Sequence, residues 1–279
     1  MMQRSMEPSD TLDVQSAWAF LRQLSRQPGK AAALAVPRCA DAEASQLLDL
    51  FLPICRGARA ANCVVAHLGQ SLDGRIATRT GASQFITGHG DVVHTHRLRA
   101  LFDAVVVGAR TVHFDNPRLN TRLVPGDHPV RVILDPQRKL AATHGVFCDG
   151  LAETLVVTSP ALAREGARKL GDAEIVPVEM HAGRFVIGAL VETLRARGLG
   201  RIFVEGGGVT VSEFLRAGAL DRLHVAVAPV IMGSGVPVLE LPAIDKLSDA
   251  MRLAVRHFSL GSDVLFDCDL RTESPRKDQ

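Results

Sequence analysis

Three acids, two arginines and a run of glycines hold most of the chemistry available to this sequence. Asp73, Asp115 and Glu205 each stand near the end of a short apolar run, where a carboxylate can orient a hydroxyl or help a proton transfer. Arg99 and Arg122 lie on either side of a second such run, Ala104–Val107, and guanidinium forks at strand ends suit a phosphate. Glu205 is followed by Gly206, Gly207 and Gly208, then by a stretch with Val211, Phe214 and Leu215 on one helical face. Glycines let a backbone come close to a ligand, and the N–H groups of a helix start, at the positive end of its dipole, favour an anion. Strand, glycine turn and helix in that order point to a nucleotide or sugar-phosphate site with a carboxylate beside it. The dinucleotide fingerprint G-x-G-x-x-G is absent, because Val209, Thr210 and Val211 follow three adjacent glycines. Taken singly, each feature has a plainer reading: a turn that binds nothing, a solvated arginine, an acid that caps a helix.

Other candidates cluster in loops. Ser71-Leu72-Asp73-Gly74 has turn composition directly after an apolar run, and the loop beyond it carries Ser83, Phe85 and Thr87. Thr111 follows Ala104–Val107. His89, His94 and His96 invite a metal reading, but residues two apart on a helix point in different directions and no carboxylate pattern accompanies them. No metal is expected. There is no G-x-S-x-G to mark a hydrolase. The five cysteines form no C-x-x-C, and the H-x-E…P-C-x-x-C of zinc nucleobase deaminases is missing.

Positioning these residues requires a scaffold, and the pattern supplies one. Apolar runs at Cys63–Ala66, Ala104–Val107, Val130–Leu134, Thr154–Thr158, Glu174–Val178 and Arg201–Val204 alternate with amphipathic stretches at Asp91–Phe102, Pro160–Leu170, Phe185–Arg197 and Thr210–Ala217. This alternation predicts an α/β fold: a mostly parallel central sheet with helices on both faces. The strands Arg222–Val230, Arg252–Phe258 and Asp263–Leu270 lack long helices between them, so an antiparallel edge is expected there. Residues 1–60 read differently, as a small helical appendage in which Pro28-Gly29 separates AWAFLRQLSRQ from EASQLLDLFLPI. Residues 61–271 form the main domain and 272–279 a charged tail.

Composition narrows the partners. A net charge of +2 gives no field for nucleic acid or an anionic membrane. Aromatics are only 4% with no Tyr, which argues against a base-stacking platform. No apolar run is long enough to span a bilayer, and unpaired cysteines with a polar N-terminus suit the cytoplasm.

The order SLDGRIAT, SQFITG, HRLRALFDAVVVGARTV, DNPRLNTR, RVILD, VEGGG and APVIMG resembles the reductase domain of bacterial riboflavin biosynthesis. The resemblance implies a dihydrofolate reductase-like fold and reduction of 5-amino-6-(5-phosphoribosylamino)uracil by NADPH, through hydride transfer to the sugar C1′ of its imine form. It places Ser83, Arg99, Leu119, Arg122 and Glu205 on the substrate, with the arginines at its 5′-phosphate. It places Phe85, Thr111, Asp115, Ser159 and the run Gly207, Gly208, Val209, Thr210, Val211, Ser212 and Glu213 on NADPH. It also implies a cytoplasmic homodimer. His67 stands where the family usually has Lys, and Phe85 where it usually has Trp. Glu205, Asp115 and His67 are the residues nearest the chemistry, with water or His67 as the proton source. Two other readings fit the same residues: a paralogous NADPH reductase of another imine or heterocycle, and a nucleotide-binding protein without turnover.

Overall fold

The computed structural model describes residues 11–27, 34–56, 60–84, 86–166 and 168–273. The chain divides into two compact units, 1–63 and 64–279. In the first, α1 (Val14–Arg26) and α2 (Ala42–Cys55) pack together, and the ring of Trp18 meets Phe51 edge-on at 6.0 Å. Both helices start on an aspartate. Ser16 N–H donates to Asp13 and Ala44 N–H to Asp41, each at 2.8 Å, which satisfies helix-start donors. Pro28-Gly29 lies outside the described residues.

The second unit is built on a ten-stranded sheet, beside two small two-stranded ones, β2 (Arg75–Thr78) with β12 (Gly235–Pro237) and β8 (Met180–His181) with β9 (Arg184–Phe185). Its order is β13 (Leu253–Leu260), β14 (Asp263–Glu273), β11 (Arg222–Ala228), β1 (Val64–Ser71), β10 (Ile202–Glu205), β3 (Ala104–Gly108), β4 (Val130–Leu134), β5 (Thr154–Thr158), β7 (Ala173–Pro177) and β6 (Lys169–Leu170). The strands from β11 to β7 run parallel; β14, β13 and β6 are antiparallel additions. This is the dihydrofolate reductase-like α/β architecture that the sequence predicts, antiparallel C-terminal strands included.

Alternate residues of the inner strands face two different layers. Val64, Ala66, Val106, Val132, Val157, Ile202 and Val204 share one core with Leu190 and Leu194 of α6 (Ile187–Ala196) and Val211 and Phe214 of α7 (Gly208–Arg216). The residues between them, including His67 and Glu205, face the other way. Leu98 and Arg99 on α3 (His89–Leu101) are buried, and α3 packs against β10 and β13.

Some elements differ from the sequence reading. β1 runs on to Ser71 because it pairs with β11 along its whole length, as far as Ser71 opposite Ala228. The helix predicted over Pro160–Leu170 ends at Glu165 as α5 (Pro160–Glu165). Lys169 and Leu170 instead turn back at Gly171-Asp172 and pair antiparallel with Glu174 and Ala173, with Gly171 at the positive φ (+59°) such a turn favours. A short helix after β3, α4 (Ala109–Asp115), went unpredicted. β14 reaches Glu273, inside the predicted tail.

Candidate active site

β10 and β3 are neighbours whose exits part. β3 leads through α4 to the adjacent β4, whereas β10 leads through α7 to β11, beyond β1. A crevice opens at the strand ends where the order switches in this way, and two helix starts meet there. No side chain caps α4 at Gly108 or α7 at Gly207. Gly206 and Gly207 have φ of +63° and +71°, a conformation that favours glycine. A Cβ on Gly108 would lie 2.8 Å from the Thr210 hydroxyl and one on Gly207 3.4 Å from the Thr111 hydroxyl. Nothing stands within 4 Å of a Cβ placed on Gly206. Donor N–H groups and open space beside a threonine pair form a cradle that fits a nucleotide phosphate.

Not all of the predicted run belongs to that cradle. Gly207, Gly208, Val209 and Thr210 make up its start. Val211 and Ser212 are buried, and the Ser212 hydroxyl donates to Gly208 O (2.6 Å) and accepts from Glu240 N–H (2.8 Å). Glu213 pairs with Arg184 and Arg216. The Ser159 hydroxyl caps α5 by accepting from Leu162 N–H at 3.3 Å. Phe85 lies outside the described residues.

The substrate candidates converge more tightly. Arg99 grips Glu205 with both arms of its fork, Nε to Oε2 at 2.7 Å and Nη2 to Oε1 at 2.5 Å, and donates to Asn120 O at 3.0 Å. The resemblance placed both side chains on the substrate, Arg99 at its phosphate; the structure pairs them with each other. Arg122 is exposed, with its Nη1 donating to Asn120 Oδ1 (3.2 Å) and its backbone N–H to His96 Nδ1 (3.1 Å). Burial, then the charges of Arg99 and Arg122, push His96 down to about 4, so it accepts that bond as a neutral ring. Arg122 is itself shifted down by burial and by Arg99 and Arg118. Arg99 and Arg118 both act on Arg122, with Glu205 opposing them, so positive charge exceeds negative around Arg122 and favours an anion. Leu119 sits in this loop with its side chain buried and φ at +54°, so backbone rather than side chain is what it offers a ligand. The Ser83 hydroxyl reaches Asp115 Oδ1 at 3.5 Å. Burial raises the Asp115 carboxyl despite that bond.

Asp73 has a different task. It accepts from the Ser71 hydroxyl (2.7 Å) and from Met232 and Gly233 N–H (3.0 and 2.7 Å). These bonds, Ser71's first, hold it down to about 2, and they tie the SLDG turn to the APVIMG segment.

Behind Glu205 lies a polar cluster of which sequence reasoning named only His67 and, as a discarded metal candidate, His94. His67 Nε2 is 3.0 Å from Asp91 Oδ1, and His94 Nε2 is 3.0 Å from His224 Nδ1. Arg222 holds both oxygens of Asp267, at 2.7 and 2.8 Å. His94 and His96 do part company, as helix geometry requires. A usable signal was present: strands buried on both faces read as unbroken apolar runs, and VVAHLG and RLHVAVA each carry a histidine mid-strand.

An α/β oxidoreductase of the dihydrofolate reductase-like type is the class these features define. The family model for the RibD C-terminal domain matches residues 62–266. A 2,5-diamino-6-ribosylamino-4(3H)-pyrimidinone 5′-phosphate reductase of Methanothermobacter thermautotrophicus is 33% identical over 210 residues, covering 73% of this chain and 96% of that one. The riboflavin biosynthesis protein RibD of Aquifex aeolicus is 33% identical over 198 residues, 70% of this chain and 54% of that one. The chain thus spans about half the length of this RibD relative. A solved deaminase/reductase, the diaminohydroxyphosphoribosylaminopyrimidine deaminase/5-amino-6-(5-phosphoribosylamino)uracil reductase of Thermotoga maritima, superposes with a TM-score of 0.65 at 28% identity, over 81% of this chain and 61% of that one. The chain belongs to the RibD C-terminal domain family, and it is a reductase of the riboflavin-biosynthesis type. No helix among the described residues is long and apolar enough to cross a membrane.

Proposed function

We propose that this chain reduces 5-amino-6-(5-phosphoribosylamino)uracil to its ribitylamino product with NADPH. The observation that carries this reading is the Arg99–Glu205 fork standing beside the uncapped start of α7 at the β10–β3 switch. It sets an anion site and a carboxylate next to a phosphate cradle. NADPH, when bound, supplies the hydride that, together with a proton at nitrogen, makes C1′ of the imine the amine carbon of the product.

The chain's own residues bind and orient. Gly207 and Gly208 hold a cofactor phosphate on their N–H groups, flanked by Thr111 and Thr210. Arg122 anchors the substrate phosphate, a handle remote from the reacting carbon whose binding energy aligns it. Arg99 is committed to Glu205, so it directs that carboxylate toward substrate rather than competing for the phosphate. Ser83 and Asp115, already in contact, offer a further polar pair to the ligands.

A second reading takes the diamino pyrimidinone phosphate as substrate, and the relative that carries that name favours it. NADPH consumption by the purified chain, measured with each ribosylamino phosphate in turn, tests both. Turnover of the uracil compound is the expected result; turnover of the diamino compound alone selects the second reading, and turnover of neither rejects both.

We infer a cytoplasmic homodimer. Val255, Val264 and Phe266 on β13 and β14 are 46%, 41% and 38% exposed, an apolar strip suited to a second copy. The mass in solution checks it: a monomer at micromolar concentration rejects the dimer.

A further inference from the structure

Helix α3 meets the sheet with charges of alternating sign. Near its start Asp91 contacts His67 on β1 at 3.0 Å. About two turns later, Arg99 grips Glu205 on β10. His67 and Glu205 are direct partners in the parallel ladder, so their side chains leave the sheet on the same face. Anion, cation, anion and cation thus follow one another: Asp91, His67, Glu205, Arg99. Asp91 and His67 are both 4% exposed, too deep to meet substrate, whereas the Glu205 side chain keeps 18% of its surface. The inner pair therefore acts through the outer one.

We propose that Asp91 is a positioning residue: it holds His67 as a cation beside Glu205, opposite Arg99, so that the substrate-facing carboxylate is fixed between two positive groups and turnover depends on His67 being protonated. This rests on the reading that Glu205 meets substrate. Burial works against a charged His67, but the charge and hydrogen bond of Asp91 and then the charge of Glu205 outweigh it and raise its pKa. The other groups facing it leave that balance in place. His94 of α3 is driven down first by burial and then by the charges of His224, His67 and Arg97; His224 of β11 is driven down by burial against the opposing pull of Asp267, 3.3 Å from its Nε2. Asp267 of β14, behind His224, is answered by Arg222 of β11 and Arg256 of β13.

Because the His67 pKa is raised, the cation is present below it and lost as pH rises through it. Steady-state kinetics across pH on the full chain, with NADPH and the ribosylamino substrate, test the proposal. In the wild-type protein kcat is expected to fall on the alkaline side of the ordinary histidine range, about 6.5. Asp91→Asn should move that fall to lower pH. His67→Gln should lower kcat at neutral pH by at least about tenfold, in the range of a lost positioned charge. His67→Lys, a cation up to about pH 10, should recover most of that loss and abolish the alkaline fall. A folded Asp91→Asn whose fall stays in place overturns the role of Asp91. His67→Lys no better than His67→Gln overturns the need for a cation. Absence of turnover in the wild-type protein overturns the substrate assignment instead, which separates the two failures.

Discussion

The two halves of the central sheet use one register for opposite purposes. From β13 to β10 a single row of paired residues reads Arg256, Asp267, His224, His67, Glu205. From β3 to β7 the corresponding row reads Val107, Ile133, Val156, Ile175. That second row is apolar and held by burial, although Arg131, two residues earlier on β4, is buried against Asp149 and Thr154. The first half places paired charges where aliphatic side chains would pack, and buried ion pairs of that kind rarely add net stability over well-packed apolar groups. Its polar row ends on β10 at Glu205, the last strand before the switch in strand order. The difference separates scaffold from machinery: one half holds the sheet, the other delivers an oriented carboxylate to the crevice.

The comparison breaks most readily at its polar end. Asp267→Asn removes a buried counter-charge from Arg222 and neutralises the group to which Arg256 donates, though Asp269 still reaches Arg222 at 2.8 Å. A loss of about 3 kcal/mol is expected, measured by urea unfolding. Ile133→Ala in the apolar row should cost a comparable 2–3 kcal/mol, roughly, through the cavity left behind. It should leave the pH dependence of stability unchanged, whereas Asp267→Asn should alter it. The pH dependence itself sharpens the contrast. His94, His96 and His224 have lowered pKa values in the folded protein, so the unfolded chain takes up protons that the folded one refuses. Their contribution is intact above about pH 6.5 and is lost as pH falls below it. Tm should therefore drop as pH falls from about 6.5 toward 4. His67 works in the opposite sense, adding stability below the ordinary histidine pKa that disappears as pH rises through its raised one.

Smaller effects on stability should bring larger effects on binding. Gly207→Ala forces a side chain onto a φ of +71°, at a cost of about 1 kcal/mol, and should raise KM for NADPH more than KM for substrate. Arg122→Ala removes an exposed side chain, so stability should stay within about 0.5 kcal/mol while KM for the phosphorylated substrate rises by about tenfold or more. Equal changes in both KM values would remove Arg122 from the phosphate.

The sequence shows the apolar half of the fold well, because alternation of strand and helix is written in local periodicity. It shows the glycine turn between β10 and α7 too, since three adjacent glycines separate an apolar run from an amphipathic stretch. It does not reveal that Arg99 and Glu205 grip each other, because that pairing depends on β10 lying beside β1 under α3, which no local pattern states. His94 and His96 look like ligands on a line; one faces His224 on β11 and the other a loop N–H. Lys169 and Leu170 fit a helical extension in composition, and only their pairing with β7 makes them a strand.

The position of β10 has a consequence for how the molecule comes to be built. β1 and β3 are made early, yet each presents a bare edge to the other's side until the chain has run from Ala104 to Ile202 and can insert the strand between them. The central hydrogen bonds are thus among the most distant in sequence, which slows folding and leaves open edges during synthesis. Glu205, the carboxylate gripped by Arg99, arrives on the inserted strand itself. A chain truncated before β10 would have neither the strand that joins β1 to β3 nor Glu205, so the joining of the two halves of the sheet and the arrival of that carboxylate are one event, with β11, β13 and β14 still to be added.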